Sequence, residues 1–407
     1  DSTIISIDTI AVGESLSGYH KIIVTGGSNT VESELKSDDI QKDAWIKPKY
    51  SDNLFKGFYS FKRKVNTKYN IAVGSDYMFL NQFASYSASD KQAASGIFRF
   101  FGTWTAFNTE KGMSGSLIFK LENRHLIGDG VVPRNLGYEA GSAMSTASFK
   151  DFKWGLTNMY WKQIVGNGKA ACVVGIMDAG DWIDLFPLLN PFKYYLNEAY
   201  FNSPAMALPN QGLGISASVQ ISPNIYISGG IHDANGQPNN FVIDNFKSFF
   251  EDKEYFAWVE AGWNSNNSII SGETIHFTYW YQDERKQANT EESYGFCFSA
   301  SKTIASKYIP FLRAGISNGN GALMHHLIMM GLTVNAYKHD YIGIGLNWGG
   351  PNDRSKRDQY GMEIFYAFQL TQRLNIAPNV QLTLYPSMND QKDFIGVYSA
   401  FRVRYAL

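Results

Sequence analysis

From about Tyr69 to Leu407 apolar residues return at every second position, run after run, and this period of two constrains the fold more than any other feature of the chain. Leu117, Phe119 and Leu121 alternate with Ile118, Lys120, Glu122 and Arg124. Tyr255, Ala257, Val259, Ala261 and Trp263 alternate with Trp258, Glu260 and Gly262. Ile275, Phe277, Tyr279 and Tyr281 alternate with Thr274, His276, Thr278 and Gln282. The pattern persists through Met362, Ile364, Tyr366, Phe368 and Leu370 against Glu363, Ala367 and Gln369, and through Phe401, Val403, Tyr405 and Leu407 against Arg402, Arg404 and Ala406. Successive side chains of a strand point to opposite faces, so each run has one apolar, aromatic face and one face of charge, amide and small residues. The runs are about 9 to 13 residues long, which is the length of a tilted strand crossing a bilayer. No apolar stretch reaches the ~18 residues of a membrane-crossing helix.

The spacing predicts strands over 69–82, 95–108, 113–124, 152–165, 170–178, 211–222, 224–232, 254–264, 272–283, 292–303, 307–316, 324–336, 340–348, 360–371, 374–385 and 393–407. Tight turns at Gly166-Asn167-Gly168, Ser222-Pro223-Asn224, Ala305-Ser306, Tyr337-Lys338 and Gln372-Arg373 alternate with longer loops. The longest are 125–150, 179–210 and 233–253, followed by 283–291, 317–323, 349–358 and 386–392. An even strand number returns the last strand to the short-turn side, where the chain enters. Charged residues are only 18% of the chain and aromatics 15%, against roughly 25% charged in soluble domains. A soluble sandwich would put its apolar faces inside and charge outside. In lipid the arrangement inverts, with apolar faces outward and polar ones lining a lumen. The expected fold is therefore all-β: a 16-stranded antiparallel transmembrane β-barrel over 67–407, with a short N-terminal helix and inward-folded loops.

Residues 1–50 form a polar segment of unspecified structure. Within it, Glu32 to Asp43 is dense in charge and has no apolar stripe, so it reads as a solvent-facing connection. Ser51 and Asp52 are N-caps for an amphipathic helix over 51–66 at the periplasmic end. Leu54, Phe55, Phe58, Phe61 and Val65 share one face, with Lys56, Lys62 and Lys64 off it. That stripe favours burial, against the barrel end or inside its mouth; the competing reading is a membrane-surface anchor. The chain begins at Asp1 with no charged-then-apolar leader and reads as mature or trimmed. The net charge of −1 excludes a nucleic-acid partner on electrostatic grounds. Of two cysteines, Cys172 is in phase with Val174 and Ile176 and is expected on lipid. Cys297 is in phase with Gly295, Ser299 and Ser301 and is expected in the lumen, so the two cannot bond.

Several segments carry a resemblance. They are Leu156-Thr157-Asn158-Met159-Tyr160-Trp161-Lys162-Gln163, Val174-Gly175-Ile176-Met177-Asp178, Asn202-Ser203-Pro204-Ala205-Met206-Ala207-Leu208-Pro209 and Gly212-Leu213-Gly214. Gly230-Ile231-His232-Asp233-Ala234-Asn235-Gly236 and Glu363 through Thr371 follow in order. Together they resemble the carbohydrate-selective porins of the OprB type, over about residues 50–407. The resemblance implies an outer-membrane barrel that passes monosaccharides by diffusion. The chain ends in Leu407 where Phe is usual in the family, and residues 1–50 match no part of it.

Selecting a sugar takes charged and amide groups for its hydroxyls and aromatic faces for its ring, met at a constriction. The wall candidates are Arg99, Glu122, Arg124, Trp258, Glu260, Arg313, Glu363, Arg402 and Arg404, with Lys120 beside them. Asp178 ends a strand, and Asp181, Trp182 and Asp184 follow it in a loop suited to a constriction; a second loop carries Arg134 and Glu139. Each charge has two readings, pairing that holds wall or loop, and contact with solute. Gly112-Met113-Ser114-Gly115-Ser116 is not the nucleophile elbow, and Gly343-Ile344-Gly345 lacks the third glycine of a dinucleotide fingerprint. His325 and His326 are adjacent and expected on opposite faces; His232-Asp233 begins a loop. No enzyme, cofactor or metal is expected. The leading function is a passive pore for small neutral sugars such as glucose. The alternatives are a general or anion-preferring porin and an outer-membrane barrel enzyme or adhesin. Expected partners are outer-membrane lipid and lipopolysaccharide, with monomer and homo-oligomer both open.

Overall fold

A computed structural model of the chain describes residues 14–47, 49–240, 242–265, 273–388 and 395–407. The side chains of Ser51, Asp52 and Leu54, expected to cap the helix and open its stripe, lie outside the described ones.

The described residues form sixteen strands in one antiparallel sheet. The first four are β1 (Ile71–Ala84), β2 (Gln92–Asn108), β3 (Ser114–Leu126) and β4 (Lys153–Val165). Then come β5 (Ala170–Met177), β6 (Gly212–Gln220), β7 (Ile225–Asp233) and β8 (Tyr255–Asn264). The second half opens with β9 (Thr274–Gln282), β10 (Ser293–Ser301), β11 (Tyr308–Asn318) and β12 (Met324–Asn335). It closes with β13 (Tyr341–Pro351), β14 (Gln359–Gln369), β15 (Leu374–Leu384) and β16 (Ile395–Ala406). Each strand pairs with its chain neighbours, and β1 pairs with β16 from Asp76↔Ala406 to Ala84↔Tyr398, so the sheet has no free edge. Closure is what hydrocarbon demands, because an unpaired strand edge there has no water to bond.

The two ends differ as expected. The connections 109–113, 166–169, 221–224, 302–307, 336–340 and 370–373 share the end where β1 starts and β16 stops. Several carry the positive φ of tight hairpins, at Gly166, Asn167 and Gly168, at Ala305 and Ser306, and at Lys338. The other end holds the long loops, including 127–152, 178–211 and 234–254.

Side-chain phase follows the alternation. Val259, Phe277, Phe296, Leu346 and Phe401 are exposed on the outside, while Glu260, His276, Glu363 and Arg402 are buried within. Outward rings meet across strands, Phe277 with Phe298 at 5.0 Å and Tyr279 with Phe296 at 5.1 Å. Two places depart from plain alternation. Gly175 has φ 139°, and a Cβ there would fall 2.4 Å from the Met159 carbonyl. Ile176 stays in register with the outward Met159 and in phase with Cys172 and Val174, yet it is buried where they are not. A bulge between Met324 and His326 brings the His325 and His326 rings within 5.6 Å, where strict alternation would part them.

The N-terminal segment is the main correction. Glu32 to Asp43 was expected to be a solvent-facing connection. The chain instead forms α1 (Val31–Asp39), with the Thr30 hydroxyl accepting from the Ser33 amide. Val31, Glu32, Glu34, Leu35 and Asp39 are all buried, and α1 packs against β1, β2 and β3 from inside the barrel. A helix surrounded by a polar lumen needs no apolar stripe, which is why none shows.

The next helix, α2 (Lys49–Tyr69), runs past the expected end at 66. It lies at the short-turn end, where Arg63 donates to the Leu16 carbonyl at 2.7 Å and Asn66 to that of Gly18 at 3.3 Å. The Arg373 guanidinium sits 3.3 Å from the Phe55 ring. The expected stripe is not the buried face: Phe61 is 59% exposed, while Lys62 is 4% exposed over the Tyr19 ring at 5.1 Å. Burial pulls the Lys62 ammonium down to about 8, with Asp39 and Asp38 opposing the shift.

Cys172 on the outer face and Cys297 in the interior are both free. A non-reducing peptide map of the folded barrel should therefore contain no Cys172–Cys297 peptide, and a lipid-soluble maleimide should label Cys172 first.

Candidate functional site in the barrel lumen

Loop 178–211 folds into the lumen and is fastened to the wall at two places. At the first, the Asp184 carboxylate accepts from His276 Nε2 at 3.0 Å, from Ser299 Oγ at 2.7 Å and from the Arg313 guanidinium. The Asp184 amide donates to Glu260 at 2.8 Å, whose carboxylate also takes Tyr226 and Thr278. At the second, Glu363 accepts from the amides of Leu196 and Asn197 at 2.6 and 2.8 Å. Beside it Arg402 donates to the carbonyls of Pro191 and Tyr194 at 2.5 and 2.8 Å. Asp184, Glu260, Arg313, Glu363 and Arg402 thus hold the loop. Trp182 is 7% exposed and meets Tyr160 edge-on at 5.7 Å; Trp258 packs on Phe256. The Asp181 carbonyl accepts from the Gly27 amide at 2.8 Å, and burial pushes the Asp181 carboxyl up to about 7.

A second network binds α1. Arg99 holds Asp76 through two bonds of 2.9 and 2.6 Å and lies over the Phe192 ring at 4.5 Å. Arg404 reaches Asp76 at 2.9 Å, Glu34 at 2.9 Å and Asp38 at 2.6 Å. Lys193 pairs with Glu34 at 3.0 Å and Lys162 with Glu32 at 2.5 Å. Asp76 was not among the expected site residues. On β1 the inward face also carries Met78 and Leu80 and the outward face Asn81, so neither face reads as the polar one. Burial alone would raise the Glu34 carboxyl, but Lys193, Arg404 and Arg99 overcome it and hold the group down to about 2. Arg404 and Lys193 likewise hold Asp38 well below the ordinary carboxylate range, against burial.

Among the described residues, two cavities lie beside these networks. The outer one, about 420 Å³, is lined by Arg124, Arg134, Tyr138, Lys150, Phe152 and Asp178 and by residues of 201–211. Arg124 lies over the Phe152 ring at 4.9 Å and pairs with Glu122 at 2.6 Å. Arg134, in the loop expected to turn inward, pairs with Glu198 at 2.9 Å. The inner cavity, about 150 Å³, is lined by Ser28, Ser33, Ser37, Tyr194, Tyr341 and Arg404 among others. Phe192 lines both cavities, and Ser28 and Asn29 divide between them. Of the expected site residues, Arg124 and Asp178 line the outer cavity and Arg404 the inner one. Lys120 and Arg134 also line the outer cavity, and among the described residues the remaining expected ones are not in the lining of these two cavities. Hydroxyls, amides and charges of both signs next to rings suit a polyol, which offers donors, acceptors and an apolar ring face.

Two outcomes follow from these contacts. Asp184→Ala leaves Arg313 and His276 buried without their carboxylate, at a cost of about 3–5 kcal/mol. The urea midpoint should fall, and trypsin should cut at Lys193 in the folded barrel. For Glu34 and Asp38 the folded-state pKa is depressed, so their stabilisation is complete above about pH 4.5 and is lost as pH falls toward 2. The loss of this α1 contribution should appear in urea stability only below about pH 4.5, any change nearer pH 7 belonging to Asp181.

Comparison with known proteins agrees with this architecture. A family profile described as carbohydrate-selective porin, OprB family, matches residues 132–403. The structure is similar to the high-pH structure of Pseudomonas putida OprB, with a TM-score of 0.67 at 14% identity, covering 90% of this chain and 99% of that one. The low-pH structure of the same protein gives 0.52 at 14% identity with the same coverage. An engineered variant of the Rh. blastica porin gives 0.51 at 11% identity over 83% of this chain and all of that one. A search of curated protein sequences finds no significant match. With the profile spanning most of the barrel and the closed sixteen-stranded sheet matching that of a solved family member, the chain belongs to the OprB family of carbohydrate-selective porins, proteins of the outer membrane.

Proposed function

We propose that this porin passes small neutral sugars of hexose size by passive diffusion, from the outer cavity past Phe192 to the inner one. One observation carries the reading: in the narrowed lumen positive and negative side chains meet in pairs, so the solute finds donors and acceptors rather than a ring of one sign. Arg124–Glu122, Arg134–Glu198 and Arg404–Asp38 are such pairs. A ring of one sign would concentrate counter-ions instead. Arg124 over Phe152 gives the outer cavity a polar group beside a ring, and Tyr194 against Tyr341 at 5.3 Å does the same for the inner one. Binding in such a path must be weak, in the millimolar range or about −4 kcal/mol, for the solute to leave. The barrel's apolar belt is proposed to sit in outer-membrane lipid and lipopolysaccharide.

A second reading has its own support. The outer cavity is lined by Lys120, Arg124, Arg134, Lys150 and Arg285 against Asp151, Asp178 and Glu198, an excess of cations that favours anions at the mouth.

Liposome swelling and planar-bilayer recording separate the two. Glucose should enter liposomes several times faster than sucrose and reduce the ion current at millimolar concentration. Arg124→Ala should weaken that block and shift selectivity toward cations. Equal rates for both sugars, with chloride clearly preferred over potassium, would favour the anion-preferring pore.

A further inference from the structure

The N-terminal segment lies outside the region matched by the family profile, yet its α1 is buried against β1, β2 and β3. Around α1 the wall and loop 178–211 present four cations, Arg99, Lys162, Lys193 and Arg404, and one carboxylate, Asp76. α1 supplies Glu32, Glu34 and Asp38, each within ion-pair distance of one or more of those cations. Those four cations of wall and loop meet three α1 carboxylates and Asp76, while Lys36 on α1 and Lys42 after it, the latter 3.6 Å from Asp38, also border the inner cavity. Backbone contacts fix the segment in place: the Gly27 amide donates to Asp181, the Ser28 hydroxyl to Leu189 and Asn190 Nδ2 to Ser28. Ser33 and Ser37 lie one turn apart on α1, and both line the inner cavity beside Arg404 and Lys193.

We propose that α1 is a specificity-determining element of the pore: Glu34 and Asp38 offset the positive charge of Arg404 and Lys193, so that the inner cavity offers a neutral polyol hydroxyls and rings in a weakened cationic field. The proposal rests on the sugar-passage reading. Without those carboxylates the same barrel would draw anions inward, because Arg404 and Lys193 border the cavity directly.

The test uses the full chain in planar bilayers under a potassium chloride gradient, with glucose entry into liposomes measured in parallel. Glu34→Gln combined with Asp38→Asn should raise the chloride-to-potassium permeability ratio roughly tenfold or more, each of the two charges removed being worth about fourfold at about 5 Å in water. Lys193→Gln, in the loop and partly exposed, should shift the ratio the opposite way. Opposite shifts support the proposal. Unchanged reversal potentials, or shifts of the same sign, overturn it. Should the double variant fail to fold, Lys193→Gln alone decides: a cation shift supports, and no shift or an anion shift overturns. A wild-type barrel that excludes glucose while the variants shift in opposite directions would sink the sugar reading and keep the charge offset. Normal glucose entry with unshifted potentials would sink the charge offset alone.

Discussion

Hydrocarbon offers no hydrogen bonds to an exposed backbone, and the rest of this structure depends on that constraint. It forces the sheet to close, β1 onto β16. Closure turns the apolar faces outward and leaves the charged faces looking at each other across a confined interior. Charges in such a space cannot stay single at low cost. The lumen is therefore organised by pairing, and what the pairs fasten is as informative as the pairs themselves. Asp184 with Arg313, and Glu363 with Arg402 nearby, hold the long loop, while Arg404 with Glu34 and Asp38 holds a helix that belongs to no strand connection.

The strands were legible because lipid imposes a strict test on every second residue. Phe401 and Val403 against Arg402 and Arg404 admit one phase, and the structure keeps it. The same rule explains the misreadings. Ile176 keeps the outward register of Met159 but is buried at its strand end, a covering that side-chain period cannot show. On α2, Phe61 was placed inside and Lys62 outside by counting apolar residues. Tyr19, Asp38 and Asp39 make a better seat for an ammonium than for a ring, and those residues are far away in sequence.

The interior was less legible than the wall. The sequence pointed to the right residue types in the right loop, since Asp184 and Glu260 do meet. It could not tell a charge that holds the loop from one that borders the cavities, because both need an inward carboxylate or guanidinium. Only long-range geometry separates Arg402, which bonds the carbonyls of Pro191 and Tyr194, from Arg124, which faces open volume. α1 was the least legible element, because a helix in a polar socket looks like a solvated linker.

Arg404 stands on β16, the strand whose pairing with β1 completes the sheet, and it is also the cation that grips both Glu34 and Asp38. α1 comes before β1 in the chain, yet its socket is complete only when the last strand has arrived. A barrel with α1 fully clamped is therefore also one whose seam has been zipped.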